Sequence, residues 1–285
     1  MRTDLHEKNR QSWNEATRAH NSHKGDQGAF FRGGGSTLFP EELDLLGEVK
    51  GTHLVHLLCN SGQDSLSLAA LGAQVTGVDI SDEAISFARQ LSSDSGIAAS
   101  FHRSDVFDWL AARDADSPRF DLAFSSYGAI GWLSDLQAWM RGVAATLVPG
   151  GRLVIVEFHP FAFQFDPQWK LKYDYFGGSP MLEEGGVDDY VAESGDGLWP
   201  QGTTEGVRGF SNPHPTYEFQ WSLSEIFASL LAADLTLERF QEYPYSNGWR
   251  GFEGMREGAD RRFYAPEELP KLPLMFGLSA RKGTS

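Results

Sequence analysis

The feature that most constrains the fold of this chain is an alternation of short apolar runs with helical patterns between Thr52 and Glu157. The apolar runs have the length of strands, and the segments between them have the spacing and capping residues of helices. Strands that alternate with helices favour a parallel, doubly wound α/β sheet with right-handed crossovers. The predicted strands of this region are 54–58, 75–78, 98–102, 120–125 and 152–157.

The same pattern predicts an α/β core that is interrupted once. The segment 158–220 is rich in Gly, Pro and aromatic residues and is longer than an ordinary connection within a compact domain. Regular patterns then return, as a helix over 223–233 and strands over 235–240 and 274–280. The expected regions are an N-terminal helical cap (1–39), the cofactor-binding core (40–157), an aromatic-rich lid insertion (158–220) and the C-terminal part of the core (221–285).

Charge and cysteine content exclude several kinds of partner. The 285 residues include 24 Lys and Arg against 39 Asp and Glu, a formal net charge of −15. Such a surface repels phosphates, so we expect neither nucleic acid nor a membrane as partner. The single cysteine, Cys59, excludes a disulfide framework, and no His or acid pair has metal-ligand spacing. With a polar N-terminus that has no apolar signal segment, these features predict a cytoplasmic protein without a bound metal.

A tight turn and an acidic residue mark a predicted ligand site. The segment 59–64 (CNSGQD) leads from the first strand into a helix, whose first N–H groups are free to bind a ligand. Asp79 ends the second strand roughly 20 residues later, where nucleotide sites place the acid that accepts the ribose hydroxyls. The turn alone also suits a connection without a ligand, but the two features together favour a cofactor that contains a nucleoside.

Successive motifs of the core resemble those of class I S-adenosylmethionine-dependent methyltransferases of the small-molecule type. These motifs are 54–64 (LVHLLCNSGQD), 75–81 (VTGVDIS), 104–106 (SDV), 120–125 (FDLAFS) and 147–153 (LVPGGRL). The resemblance covers 40–157 strongly and the C-terminal strands more loosely. It implies S-adenosylmethionine as cofactor and a mostly parallel, seven-stranded Rossmann-like sheet.

The resemblance also implies which residues hold each part of the cofactor. The residues expected along its methionine part are Cys59, Asn60, Gly62, Gln63 and Asp64, with Ser125 beneath it. The nucleoside contacts expected are Asp79 to the ribose, Ile80 against the adenine, Asp105 accepting from the adenine amine and the Val106 N–H donating to a ring nitrogen.

The first motif departs from the family pattern. His56 stands in place of an acid, and Leu58 and Asn60 stand in place of the first two glycines of a Gly-x-Gly-x-Gly turn, so only Gly62 remains. Asn tolerates left-handed backbone geometry, so Asn60 can keep the turn. The variant turn leaves one alternative open, a regulatory or repurposed module that binds the cofactor without methyl transfer. A nicotinamide dehydrogenase is disfavoured because the full dinucleotide fingerprint is absent.

The aromatic content of 158–220 predicts an apolar acceptor pocket. This segment holds 13 of the 36 Phe, Trp and Tyr residues, which suits a small aromatic or amphipathic molecule methylated on O or N. A lid with its own small core, or a basic protein substrate, are the alternatives. The ten acids of the segment could hold an amine, or they could simply be solvated. The expected substrate contacts are Trp13, Phe31, Trp169, Tyr175 and His214.

Three residues are candidates for a general base. His159 follows the fifth strand at the edge where acceptors bind, and Tyr127 follows the fourth. His20 lies in the N-terminal segment, which in similar enzymes folds over the cofactor. A base is needed only if the acceptor must lose a proton, since positioning and desolvation supply most of the acceleration of an in-line displacement. A structural role is the alternative for each residue.

Overall fold

The computed structural model describes residues 1–114, 116–177 and 179–284. Its strands are β1 (His53–Leu57), β2 (Gln74–Asp79), β3 (Ser100–Arg103), β4 (Phe120–Ser126), β5 (Leu147–Phe158), β6 (Met181–Glu183), β7 (Thr216–Glu218), β8 (Leu235–Tyr243), β9 (Tyr245–Asn247), β10 (Arg256–Glu257), β11 (Arg262–Tyr264) and β12 (Met275–Lys282). Its helices are α1 (Thr3–Ser22), α2 (Gln27–Arg32), α3 (Pro40–Leu46), α4 (Gln63–Ala70), α5 (Asp82–Ser95), α6 (Val106–Ala111), α7 (Leu136–Thr146), α8 (Tyr190–Ser194) and α9 (Leu223–Ala232). Among the described residues, none of these helices has the length and apolar content to cross a membrane.

The central sheet has seven strands in the order β3-β2-β1-β4-β5-β12-β8. The strands from β1 to β5 pair in parallel, whereas β12 runs antiparallel to both β5 and β8. This order confirms the predicted doubly wound, mostly parallel sheet. The direction of winding reverses between β1 and β4, and in such sheets ligands bind beyond the carboxyl ends of the strands at that point.

The inner strands are apolar on both faces because helices cover both. One face packs against α6, α7 and α9 around the fully buried Trp139. The other packs against α3, where Leu45 and Leu46 contact the sheet. Strands buried in this way read as continuous apolar runs, which is why their positions could be predicted.

The Pro-Gly-Gly segment 149–151 lies inside β5. Leu147 already pairs with Phe120, and the register then shifts so that Arg152 pairs with Leu122. Gly150 has a φ of 77°, a left-handed conformation that a side chain would strain. The Pro-Gly-Gly sequence therefore forms an irregularity within the ladder, and α7 ends just before it at Thr146.

Helix α1 and the segment 158–220 cover the carboxyl edge of the sheet. The Asn9 side chain donates to the Tyr217 carbonyl and accepts from the Tyr217 N–H, each at 2.8 Å, so that α1 is joined to β7. Arg18 of α1 pairs with Glu83 of α5 at 2.8 Å. A further small sheet, β10-β11-β9, was not predicted from the sequence. The division of the chain into four regions stays a prediction.

Candidate active site

A cavity of about 580 Å³ lies at the carboxyl ends of β1, β2 and β4, where the strand order reverses. This volume falls in the range of small-molecule sites. One face of α1 forms a wall of the cavity, through His6, Asn9, Trp13 and His20. These positions share a face because they recur at helical spacing.

The turn after β1 keeps left-handed geometry at all three positions where the family pattern has glycine. Leu58, Asn60 and Gly62 have φ values of 57°, 47° and 79°. The Asn60 side chain supports its own turn, since its Oδ1 accepts from the Ser61 N–H at 2.6 Å. Two features favour glycine at position 62. Its φ is left-handed, and a Cβ there would lie 2.8 Å from the Ala88 Cβ. The variant motif therefore preserves the backbone shape of the turn.

Asp79 lies at the end of β2 with both carboxylate oxygens engaged. Its Oδ2 accepts from the Asn60 N–H at 2.8 Å and its Oδ1 from the Ser81 N–H at 2.9 Å. Burial raises the pKa of Asp79, although these backbone donors oppose that rise. An ionised carboxylate has about four acceptor positions, so it can also accept from two ribose hydroxyls.

Asp105 precedes α6 and is paired with a histidine from α1. Its Oδ1 accepts from the Phe107 N–H at 2.9 Å, and its Oδ2 lies 2.7 Å from His6 Nδ1. The His6 ring stacks on Phe107 with ring centres 5.3 Å apart. Val106 begins α6, so its N–H lies in the first turn, where no helix hydrogen bond uses it. These groups could bind the edge of an adenine ring.

A pair of opposite charges lines the cavity near the start of α4. Asp64 accepts from the Thr37 hydroxyl at 2.6 Å. Burial lowers the pKa of Lys24 to about 8, and the charge of Asp64 opposes this shift. Arg261, stacked 4.0 Å from the centre of the Phe39 ring, lies near Asp64 as well. An acid between two cations suits the ammonium and carboxylate groups of an amino acid, such as the methionine part of S-adenosylmethionine.

Most of the residues predicted from the resemblance line this cavity. They are Cys59, Asn60, Gln63, Asp64, Asp79, Ile80, Asp105 and Val106. Gly62 does not line the cavity and faces Ala88 and Phe101 instead. The serine of β4 that lines the cavity is Ser126, while Ser125 points its hydroxyl into the buried interior without a partner.

The predicted catalytic residues divide between the cavity and its surroundings. His20 and Tyr127 line the cavity, whereas His159 does not. His20 Nε2 lies 2.8 Å from the Asp188 carbonyl, and burial lowers the pKa of His20 to about 4. Burial also raises the pKa of Tyr127 well above its usual value. His159 is held by the Phe161 N–H at 3.0 Å on Nδ1 and lies 3.1 Å from Glu242 on Nε2.

Of the predicted substrate contacts, Trp13 lines the cavity and the other four do not. Phe31 packs in a separate cluster with Phe30 and Trp199. Trp169 stacks on Phe252 with ring centres 4.3 Å apart. The remaining two are Tyr175, whose hydroxyl accepts from the Leu223 N–H, and His214, whose N–H donates to Asn212.

Several residues that line the cavity were not singled out from the sequence. His6 lies in α1 and Lys24 just after it, and Glu183 and Glu218 lie on β6 and β7. Helical spacing from Trp13 could have pointed to His6. Nothing local identifies Glu218, because its position depends on the pairing of two strands that are far apart in the sequence. The described residues hold no group of three or more His, Cys, Asp or Glu side chains suited to a metal ion.

Comparison with known proteins gives a family match for part of the chain and a fold match for most of it. Residues 55–151 match the family described as "Methyltransferase domain". The fold is similar to that of an S-adenosylmethionine-dependent methyltransferase from Mesorhizobium loti, with a TM-score of 0.54 and 21% identity over 87% of this chain and 99% of that one. It is also similar to one from Clostridium acetobutylicum ATCC 824, with a TM-score of 0.52 and 13% identity over 81% of this chain and 84% of that one. The chain thus has the class I methyltransferase fold, and residues 55–151 match the methyltransferase-domain family.

Relatives of known name match part of the chain. It is 36% identical over 108 residues to the ubiquinone biosynthesis O-methyltransferase of Xanthomonas axonopodis pv. citri (strain 306), over 38% of this chain and 44% of that protein. It is 30% identical over 125 residues to the demethylmenaquinone methyltransferase of Tropheryma whipplei (strain Twist), over 42% of this chain and 47% of that protein. Each match spans less than half of the relative. The cofactor of this class, S-adenosylmethionine, fits the charges and donors described above.

Proposed function

We propose that this protein transfers a methyl group from S-adenosylmethionine to a small molecule bound in the same cavity. The observation that carries the proposal is the continuity of this cavity, whose lining runs from Asp79 and Asp105 to the aromatic side chains of α1 and the segment 158–220. An acceptor in the aromatic part would therefore lie beside the reactive end of the cofactor.

The chain supplies position and charge for this reaction. Asp79 accepts from the ribose hydroxyls, Asp105 and Val106 bind the adenine edge, and Asp64 and Lys24 hold the amino-acid group. When bound, the cofactor offers an electrophilic methyl group on a sulfonium. These residues would hold both ends of the cofactor, and an acceptor held in the aromatic part of the cavity would then be positioned for in-line attack at a lower entropy cost.

The part of the cavity that the aromatic side chains line has mainly apolar walls on the side of the sheet. Trp132 and Leu133 follow β4, and Phe158 ends β5, so the walls on the sheet side are mainly apolar. His20 is neutral at pH 7 because its pKa is about 4, and Tyr127 is protonated. Neither side chain brings a charge to this part of the cavity, which leaves Glu157 at the end of β5 and the lining acids of 158–220 as its carboxylates.

The names of the relatives support a small acceptor. By name, the two relatives are a ubiquinone biosynthesis O-methyltransferase and a demethylmenaquinone methyltransferase. The family match ends at residue 151, before the lid that lines the acceptor side. The relatives therefore support the reaction class, and the acceptor of this chain has to be inferred from its own cavity.

Calorimetric titration with S-adenosylmethionine and S-adenosylhomocysteine tests the proposal. We expect one site for each compound, followed by transfer of labelled methyl groups to members of a panel of small phenols and amines. Failure of folded protein to bind either compound contradicts the proposal. Binding of both compounds without turnover of any acceptor favours the alternative, a regulatory module.

A further inference from the structure

Two short strands carry carboxylates into the cavity. In the antiparallel pair β6–β7, Met181 lies opposite Glu218 and Glu183 lies opposite Thr216. Because alternate positions of a strand share a face, Met181, Glu183 and Glu218 lie on one side of the pair. All three line the cavity, and so does Asp188, which follows β6.

These carboxylates have no salt-bridge partner in the part of the chain that the structure describes, although the charge of the exposed Lys172 acts on Glu183. Within 1–114, 116–177 and 179–284, no Lys, Arg or His forms an ion pair with Glu183, Asp188 or Glu218. The Lys and Arg side chains that line the cavity, Lys24 and Arg261, interact with Asp64 instead. Burial, and then the charges of Glu183 and Asp188, raise the pKa of Glu218 to about 7.

Aromatic rings lie in the same cavity at steep angles to each other. Trp13 meets Trp132 with ring centres 5.4 Å apart and planes at 79°. It meets Tyr190 at 6.4 Å and 73°. Tyr173 and Phe219, the neighbour of Glu218, also line the cavity. The face of an aromatic ring carries negative partial charge, so ring faces in this cavity can bind an organic cation by cation–π contact.

A buried histidine of α1 gives a second sign that the cavity holds a ligand. His6 is 5% exposed, lines the cavity, and has no hydrogen-bond partner on Nε2 among the described residues. Its ring lies edge-on to Phe219 with centres 6.4 Å apart. Because Nδ1 faces the Asp105 carboxylate, Nε2 of the neutral ring is an acceptor. An N–H donor from a ligand would satisfy it.

We propose that the methyl acceptor is an organic amine that enters the cavity as a cation, with Glu183, Asp188 and Glu218 as its counter-charges and the Trp13, Trp132 and Tyr190 rings around it. This inference rests on the proposed methyl transfer and specifies its acceptor. The acids of 158–220 that line the cavity, of which Glu183 and Glu218 are half-buried and Asp188 is exposed, thus bind substrate. Exposed acids outside the lining, such as Glu184 and Glu205, are solvated.

Transfer to an amine requires the loss of one proton before attack. The bound ammonium gives a proton to the Glu218 carboxylate, which frees the nitrogen lone pair. The lone pair forms the new N–C bond as the C–S bond breaks, and the sulfur keeps that electron pair. The products are a methylated ammonium and a neutral thioether, and the Glu218 proton passes to water.

Matched pairs of amines and alcohols test the inference on the complex with S-adenosylhomocysteine. The probes are phenethylamine and 2-phenylethanol, tryptamine and tryptophol, and tyramine and tyrosol, each at up to millimolar concentration. We expect at least one amine to bind about tenfold or more tightly than its alcohol, in line with a desolvated cation–π contact and an ion pair. Equal or tighter binding of the alcohols, or no binding of any amine, overturns the inference.

Variants of the carboxylates test which of them cause the preference for amines over alcohols. We expect Glu218→Gln and Glu183→Gln, each tested separately in case one fails to fold, to remove the preference for amines and leave affinity for S-adenosylhomocysteine unchanged. Glu184→Gln is the matched control, since Glu184 is exposed and outside the cavity lining, and it should keep the preference. A preference that persists in both variants overturns the assignment.

One further comparison tests whether the acids bind an amine or the cofactor, because the sulfonium of S-adenosylmethionine is also a cation. If Glu218→Gln weakens binding of S-adenosylmethionine but not of the neutral S-adenosylhomocysteine, and amines show no advantage, the acids serve the cofactor and the inference is overturned. If S-adenosylhomocysteine does not bind the unaltered protein, the proposed function fails, which is a separate result.

Discussion

The two halves of the cavity are built in different ways. The cofactor half follows the chain in order, with each strand ending in a turn and each turn opening a helix, so that Asn60, Asp79 and Asp105 come from neighbouring units. The acceptor half combines α1 with β6 and β7, which are far apart in the sequence. A region built from local units keeps a recognisable pattern, whereas one built from distant segments can change its chemistry without disturbing the fold.

Loss of the ribose-binding acid should produce the largest effect. We expect Asp79→Ala to weaken binding of S-adenosylhomocysteine about 100-fold or more, because two charge-assisted hydrogen bonds are lost at roughly 1.5–3 kcal/mol each. Calorimetry measures the effect, with Asp174→Ala, an exposed acid of the lid, as control. Unchanged affinity in Asp79→Ala contradicts the ribose assignment and removes the basis for separating the two halves.

The turn itself should be sensitive to a single methyl group. Gly62→Ala combines left-handed strain with a close contact to Ala88, and we expect it to lower the free energy of unfolding by about 2–4 kcal/mol. Gly96→Ala is the matched control, since Gly96 has a φ of +72° but open space around it, and it should lose only about 1–2 kcal/mol. Equal losses in urea unfolding contradict the packing argument.

Replacing Lys24 should affect one end of the cofactor. Lys24→Met should weaken S-adenosylhomocysteine about tenfold, the loss of roughly one ion pair, but leave methylthioadenosine unchanged because that compound lacks the amino-acid group. Since burial lowers the pKa of Lys24 to about 8, the advantage of the unaltered protein should fade as the pH rises through 8. Lys271→Met, at an exposed position, is the control. Equal weakening of both compounds contradicts a contact between Lys24 and the amino-acid group.

The acceptor half should show the smallest effect, and one that depends on pH. The pKa of Glu218 is about 7 in the folded protein and near 4.5 in the unfolded chain, so the folded state binds more protons between these values and stability falls as the pH rises through them. Glu218→Gln should therefore be more stable than the unaltered protein at pH 8 and equally stable at pH 4. We expect a difference of about 1 kcal/mol, less than the full pKa shift would give, because the half-buried side chain is screened by solvent. Thermal unfolding at both pH values measures the difference. Equal stability of the two proteins at pH 8 contradicts the argument that burial of the Glu218 carboxylate destabilises the fold.

Sequence reasoning predicted the central sheet and the cofactor turn because both depend on local signals. Apolar runs predict strands, and Asp79 and Gly62 follow from the turns that they occupy. The β6–β7 pair has strands of three residues each and no hairpin turn between them, so no periodic pattern indicates it. Without that pairing, Glu218 could be placed neither inside nor outside the cavity. The same holds for His159, whose position after β5 is correct but whose ring turns towards Glu242.

Helix α1 touches both halves of the cavity. It brings His6 to Asp105, Trp13 to the acceptor rings, and ends just before Lys24. Its 20 residues span about 30 Å, enough for one rigid element to reach both ligands. The ligand that binds first bears the entropy cost of fixing α1, and the second ligand does not. This coupling has the same size in either order of binding. Cofactor and acceptor should therefore bind cooperatively, with each raising the affinity for the other by the same factor.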